Sequence, residues 1–423
     1  MCRPEILHSF DAMLRQQAYR FRIYPSNTQA DLFRRTIGCC RLVYNLCLDQ
    51  KTLEHHRSAP RRLSYAGQCD GLTELKREVE WLRVVPHHPL QQAIRDLHRA
   101  FTNFFEGRAR YPSFRRKGEN ESFRYPDPKQ IKLEEERIFL PKAGWVKLVQ
   151  HRPVEGDVKN ATVSMIAGDW FVSIQVEQEV AEPALNHGPA VGVDLGVEQP
   201  ITLSDGTVFA LPRVSLHERR RLASAQQSVA RRRKGSKNRA KALRRVARLQ
   251  AKFARRRRDA AHKATTIIAK NHGMVVVEAL KVRNMTASAR GSAEEPGSKV
   301  SQKAGLNRSL LDIAPGKIRA MLAYKAPWHG SRLIAVDPAY TSQECSSCRT
   351  VDAKSRISRS QFVCTNCGLI ENADVNAARS ILARGLGTTG GRPGMACGSS
   401  RAGGRKQEVA PAKARNSVLQ GRE

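Results

Sequence analysis

Acidic residues are scarce in this 423-residue chain: 39 Asp and Glu stand against 73 Lys and Arg, a formal net charge of +34. No fold requires such an excess, and like charges at that density repel one another in the compact state. A polyanionic partner is the usual compensation. Long apolar runs are also missing. None approaches the roughly 20 residues needed to span a bilayer. The opening MCRPEILHSFDAMLRQQ lacks the apolar core of a secretory signal, so a cytoplasmic protein is expected. A disulfide framework is absent too. Four of the ten cysteines form two Cys-x-x-Cys pairs, and the other six are scattered, with Cys39 and Cys40 adjacent. That usage suits a reducing compartment and one metal site.

Among polyanions, nucleic acid leads, because Arg and Lys exchange counterions for phosphates. A membrane surface is the rival, but the basic helices lack a broad aromatic or apolar face. No internal repeat is apparent. Residues 217–258 carry 18 Lys and Arg and one acid, Glu218. Leu222, Ala225 and Val229 mark one helix there; Leu243, Val246, Leu249 and Phe253 mark another, with KGSKN between them. This density predicts a helical hairpin laid along phosphates.

The periodicity predicts an α/β protein. Residues 18–25 alternate as one strand, and a helical zone follows. Leu32, Thr36, Cys39, Cys40, Val43 and Leu46 are spaced for one buried helical face; Ile94, Leu97, Phe101, Phe104 and Phe105 are spaced for a second. From residue 121 the period becomes two, predicting short antiparallel strands with a turn at Gly168-Asp169 and a small β-barrel completed by the early strand. The barrel reads either as a structural platform or as a nucleic-acid-binding module, and this charge background favours the second. Another hairpin is expected at Asp205-Gly206. Residues 272–280 and 331–338 read as buried strands, 286–305 as a flexible loop, and the Gly-, Ala- and Arg-rich stretch beyond 385 as a disordered tail.

Three acids stand out. In AVGVDLG and MVVVEAL, alternation gives each strand an apolar face and ends it in a carboxylate, Asp194 and Glu278. Open α/β sheets place their sites at that end. Asp374 arrives from a third direction, at or near the N-cap of the helix VNAARSILARG. Each acid alone has an ordinary reading: a turn residue, a surface acid, a helix cap. Together, three carboxylates on rigid elements suit two divalent hard cations about 4 Å apart acting on a phosphodiester. Mg²⁺ is expected, and oxygen ligands accept Mn²⁺ as well. Asp337 is set aside, because the following proline indicates a turn.

The cysteine pairs Cys345, Cys348, Cys364 and Cys367 read C-x2-C-x15-C-x2-C. Four thiolates at this spacing suit tetrahedral Zn²⁺ with no open position, so the zinc is expected to be structural. Lying between one strand and the Asp374 helix, the clip ties an insertion and fixes where Asp374 sits.

VGVDLG, VVVEAL, DPAYTSQECSSC and CTNCGLIENADVNAARSIL, in this order, resemble the RuvC-like nuclease of TnpB proteins. These are encoded by insertion sequences, were long described as OrfB transposases, and are relatives of type V CRISPR effectors. AYRFRIYPSNTQADLFRRTIGCCRLVYN, FTNFFEGRARYPSFRRKGENESFRYP and GWVKLVQHRP resemble the amino half of the same family. The resemblance covers residues 18–385. It implies a RuvC/RNase H-like domain (187–340, with the basic hairpin at 217–270), a zinc ribbon (341–370) and a final helix (371–385). Ahead of these it implies a wedge-type β-barrel (18–25 and 120–186) carrying a helical recognition insertion (26–119). Residues 1–17 are then an N-terminal extension, Met13 being an alternative start, and 386–423 the tail. It further implies an endonuclease that takes a guide RNA from the transposon end and cuts motif-adjacent target DNA. Asp194, Glu278 and Asp374 match the family's catalytic acids, and the four cysteines its zinc ligands. Arg349 departs from the pattern, standing where a glycine is usual. Two other readings are a transposase using the same acids for strand transfer and a catalytically silent nucleic-acid-binding regulator.

Overall fold

The computed structural model describes residues 12–57, 63–292 and 294–389. Strand β1 (Ala12–Tyr24) turns Tyr19, Phe21 and Ile23 inward, with the intervening arginines on the other side. It lies in a seven-stranded antiparallel sheet with β2 (Ser122–Tyr125), β3 (Lys132–Glu134), β4 (Arg137–Leu140), β5 (Gly144–Val149), β6 (Asp157–Ile166) and β7 (Asp169–Ala181). The order β2-β6-β7-β1-β5-β4-β3 leaves β2 and β3 as edges, so hydrogen bonding does not close the expected barrel. β1 starts six residues earlier than the alternation indicated. Its first half pairs with the end of β7, from Ala12↔Ala181 to Gln17↔Val176. That half projects past the core, leaving Leu14 exposed, so no apolar period announces it. The β6–β7 turn is Ala167-Gly168, both at positive φ, and Asp169 already belongs to β7.

Four helices are inserted after β1: α1 (Asn27–His55), α2 (Tyr65–Glu78), the single turn α3 (Trp81–Val84) and α4 (His87–Phe105). Ser26 and Gln29 form a capping box at the start of α1. The helices share one core with the sheet, in which Phe33 meets Phe123 and Trp170. Two expected core positions are corrected. Leu46 is exposed while Cys47 and Leu48 are buried, because the stripe drifts around this long helix. Phe105, at the end of α4, is 78% exposed, its ring meeting only Phe101 and Phe104 of its own helix among the aromatic contacts of the described residues.

The second sheet holds β8 (Ala190–Asp194), β9 (Ile201–Leu203), β10 (Val208–Phe209), β11 (Met274–Glu278) and β12 (Arg332–Val336) in the order β10-β9-β8-β11-β12. β8, β11 and β12 are parallel, whereas β9 and β10 form the hairpin around Asp205-Gly206. β12 was expected to be buried; it is an edge strand with only Val336 buried. The basic hairpin is α5 (Leu216–Ala230) and α6 (Lys237–Asn271). After α7 (Val282–Met285), the expected loop 286–305 gives way to α8 (Val300–Ile313), followed by α9 (Pro315–Trp328). The small polar residues of VSQKAGLN do not show the apolar stripe that would have announced α8. A ribbon hairpin, β13 (Gln361–Val363) and β14 (Ile370–Asn372), leads into α10 (Ala373–Thr389). α10 thus outruns the expected end at 385, and the rest of the expected tail lies outside the described residues.

This sheet has helices on both faces. Val191, Val193, Val275 and Val277 pack with Ala261, Ala264 and Ile268 of α6 and Ile318 and Leu322 of α9. Val276 packs with Ile381 of α10 on the other face. Gly192 lets α10 come close: a Cβ there would stand 2.0 Å from the Ala378 carbonyl oxygen.

Candidate catalytic and metal centre

β8 and β11 run in parallel register, ending with the pair Val193↔Val277. One residue beyond on each strand stand Asp194 and Glu278, so neighbouring strands deliver two carboxylates to one edge of the sheet. Asp374 does not cap its helix. Asn372 does, its Oδ1 accepting from the backbone N–H of Asp374 (3.0 Å) and Val375 (3.2 Å). Asp374 therefore sits in the first turn of α10 and its carboxylate faces Asp194. Gly196 stands between them: a Cβ there would be 3.7 Å from Oδ2 of each acid.

Burial raises the pKa of all three acids, and Asp194 also feels the other two. Burial, then the nearby charges of Glu278 and Asp374, push the Asp194 carboxyl up to about 7. Burial also raises Glu278 and Asp374. Opposing this, the Thr341 hydroxyl donates to Glu278, and the Arg356 guanidinium reaches Asp374 Oδ1 at 3.4 Å. Among the described residues, only the four cysteines form a set of three or more such ligands within 4.8 Å of one another. The acids converge on one face but stand apart, two of them with partners. An all-oxygen donor set of this kind suits hard divalent cations such as Mg²⁺. Asp337 Oδ1 accepts from the Ala339 N–H (3.1 Å), which is a turn role.

The cysteines fit a tetrahedral ion. Cys345 Sγ and Cys367 Sγ are 3.6 Å apart, and Cys348 Sγ and Cys364 Sγ 3.5 Å. Four Zn–S bonds of about 2.3 Å need sulfur separations near 3.8 Å. The two knuckles repeat one backbone pattern: Arg349 N–H donates to Cys345 O (3.0 Å), and Gly368 N–H to Cys364 O (3.1 Å). Both residues have positive φ, 65° and 71°. Arg349 therefore occupies a left-handed position that glycine takes in the second knuckle, and its guanidinium pairs with Glu344 at 2.8 Å.

The sequence indicated that this clip positions Asp374, but not which residues make the link. Asn376, fully buried on α10, donates to Glu344 O (2.8 Å) and accepts from Ser346 N–H (2.9 Å). Arg384 on the same helix binds the Glu344 carboxylate and donates to Asp337 O (2.9 Å) and Ala339 O (2.7 Å). That turn carries Thr341, the partner of Glu278. One signal was available for Asn376: an Asn two residues after an acid sits on another face of the helix from that acid. None was available for Arg356 or Thr341, which lie in irregular segments.

The basic hairpin has few acids to neutralise it. Glu218 takes Arg256 at 2.8 Å, and Asp312 takes Arg257 at 3.0 Å. Where the hairpin meets β1, burial and the nearby Arg258 and Arg255 depress the pKa of Arg20. Crowded cations of this kind favour a bound polyanion.

Comparison with known proteins adds three family matches: "Probable transposase" over residues 173–289, "Cas12f1-like, TNB domain" over 316–381, and "Helix-turn-helix domain" over 13–58. The chain is 42% identical to the "Putative RNA-guided DNA endonuclease InsQ" of Escherichia coli (strain K12), covering 94% of this chain and 98% of that protein. It is 36% identical to a "Putative RNA-guided DNA endonuclease" of Streptomyces pristinaespiralis, covering 96% of each. Among solved structures, a Cas12f1–sgRNA–target DNA complex matches with TM-score 0.48 and 13% identity, over 88% of this chain and 98% of that one. No described helix is long and apolar enough to cross a membrane.

Proposed function

The chain belongs to the TnpB (OrfB) family, and from that premise we propose that it is an RNA-guided DNA endonuclease with a RuvC-like site. A guide RNA occupies the basic surface and pairs with one DNA strand, so base pairing supplies most of the sequence readout, as in other RNA-guided effectors. Single-stranded DNA then meets Asp194, Glu278 and Asp374. The observation that carries the reading is the convergence of Asp194 and Asp374 on Gly196 at the end of the parallel strands.

The three carboxylates would hold Mg²⁺, which when bound supplies a Lewis acid and an activated water for phosphodiester hydrolysis. The chain's own contribution is orientation. Thr341 fixes the Glu278 carboxylate, and Arg356 places a positive charge beside Asp374. The zinc ribbon, with Zn²⁺ on its four cysteines, is a structural clip that locks α10 through Asn376 and Glu344.

The test is to express the gene with its native downstream flank and sequence the RNA that co-purifies at high salt. A discrete RNA ending in variable sequence is expected, and with it cleavage of matched DNA. The D194A variant should keep RNA and DNA binding and lose cleavage; cutting at the unaltered rate would remove Asp194 from the site. The family description "Probable transposase" favours a second reading, strand transfer by the same acids. That reading predicts binding to transposon-end DNA without RNA and joined products in place of simple cuts.

A further inference from the structure

We propose that the segment from Phe105 to Lys117 is a docking track for unpaired nucleotides, separate from the catalytic centre. The inference rests on the reading of this protein as a nucleic-acid-binding one and names a surface for it. Phe105 is 78% exposed, Phe114 54% and Tyr111 48%, although their spacing suggested burial for the first. The rings are held in place. Tyr111 meets Phe101 and Phe104 edge-on at 5.5 and 5.3 Å, and Phe104 meets Phe105 at 5.3 Å. The Tyr111 hydroxyl lies 3.2 Å from Thr52 Oγ1.

The backbone is fixed as well, though it has no helix or strand. Arg108 and Ala109 N–H both donate to Asn103 O (2.8 and 3.0 Å). Farther along, Asn45 exchanges two hydrogen bonds with the Arg115 backbone, at 3.0 and 2.8 Å. The Arg115 guanidinium lies over the Tyr44 ring at 3.9 Å.

Its charge selects the occupant. Arg108 is paired with Glu106. Arg110, Arg116 and Lys117 are exposed and make no side-chain hydrogen bond or ion pair among the described residues. Beside Phe114 opens a cavity of about 260 Å³, lined also by Arg116, Asn120, Arg124, Glu119 and Asp96, the last already paired with Arg115. The buried Arg124 Nε has no hydrogen-bond partner, a donor without an acceptor. Exposed rings interleaved with unneutralised cations match bases and phosphates together. A second copy of this chain would instead bring its own large positive charge. Bases inside a duplex have their faces covered, so the rings select unpaired ones.

The experiment uses the full chain, with fluorescence anisotropy on a labelled unstructured RNA oligonucleotide and on a hairpin duplex of the same composition. The F105A/F114A pair removes only exposed rings, and circular dichroism confirms its fold. It should bind the unstructured RNA at least about 5-fold more weakly with an unchanged salt slope. R110A/R116A should lower that slope by about 1.4. Wild-type affinity in F105A/F114A overturns this inference and leaves the nuclease reading intact, as does an equal loss on the duplex. A wild-type protein that binds neither RNA overturns both. Sedimentation showing a wild-type dimer that F105A/F114A dissolves assigns the surface to a second copy and overturns the track.

Discussion

Asp194 and Asp374, carried by the strand β8 and the helix α10, bring an oxygen each to 3.7 Å from the point where a Gly196 Cβ would stand. That point is also 3.0 Å from the Gln199 carbonyl oxygen, which is the tight contact, whereas 3.7 Å leaves a methyl in ordinary van der Waals contact with both acids. G196A is expected to lower single-turnover cleavage because its methyl fills the space between the two carboxylates, by less than the roughly 100-fold that a 1 Å misplacement costs. RNA and DNA affinities should not change. Cleavage at the unaltered rate would show that the gap between the two acids is not used.

The raised pKa values set a pH dependence. The folded state holds a proton on Asp194 more tightly than the unfolded chain does, since its carboxyl titrates near 7 against an ordinary value of 3.8. Its stability contribution is therefore present at acid pH and lost as pH rises from the unfolded value through about 7. Metal-free protein should show a melting temperature that falls from pH 5 to pH 8 by this term. Mg²⁺ competes with that proton, so its stabilising effect and the cleavage rate should both increase across pH 6 to 8. A Mg²⁺-induced shift in melting temperature that is larger at pH 6 than at pH 8 would contradict the assignment.

Arg349 separates backbone strain from charge. Its φ of 65° costs a non-glycine residue about 1 kcal/mol, and its ion pair with Glu344 is half exposed. R349G relieves the strain and loses the pair; R349A loses the pair and keeps the strain. Glu344 retains Arg384 in both. Calorimetry should therefore find R349G more stable than R349A by about 1 kcal/mol.

Asn376 couples the ribbon to the helix of Asp374. N376A leaves the Glu344 carbonyl with Ser380 alone (3.1 Å) and the Ser346 N–H without its acceptor. The expected cost is about 1–3 kcal/mol, read by thermal unfolding. Zinc should leave faster to a chromogenic chelator, and cleavage should fall further than nucleic-acid binding. Unchanged zinc release would uncouple the clip from the catalytic helix.

Gly192 is the contact that lets α10 lie on the sheet. In G192A the new methyl would meet the Ala378 carbonyl and the Leu382 N–H, at 2.0 and 2.8 Å from the built Cβ. A loss of about 1–3 kcal/mol or more is expected, with cleavage falling because Asp374 moves with its helix. A melting curve like that of the unaltered protein would place the close approach elsewhere.

Much was legible from residue order alone: the positive surplus, the cysteine spacing, and two apolar strands each ending in a carboxylate. Charge, ligand spacing and alternation are local properties, and folding cannot erase them. The sequence could equally say which side of a helix was greasy, but not what lay across from it. Only the tertiary structure decided that Phe105 stays exposed while Leu48 is buried. Likewise, Gly192 and Gly196 are ordinary glycines until α10 arrives from far along the chain. Arg356 and Thr341 lie in segments with no period to read. Their roles depend on distances to Asp374 and Glu278 that exist only once the four-cysteine ribbon and the sheet are packed together.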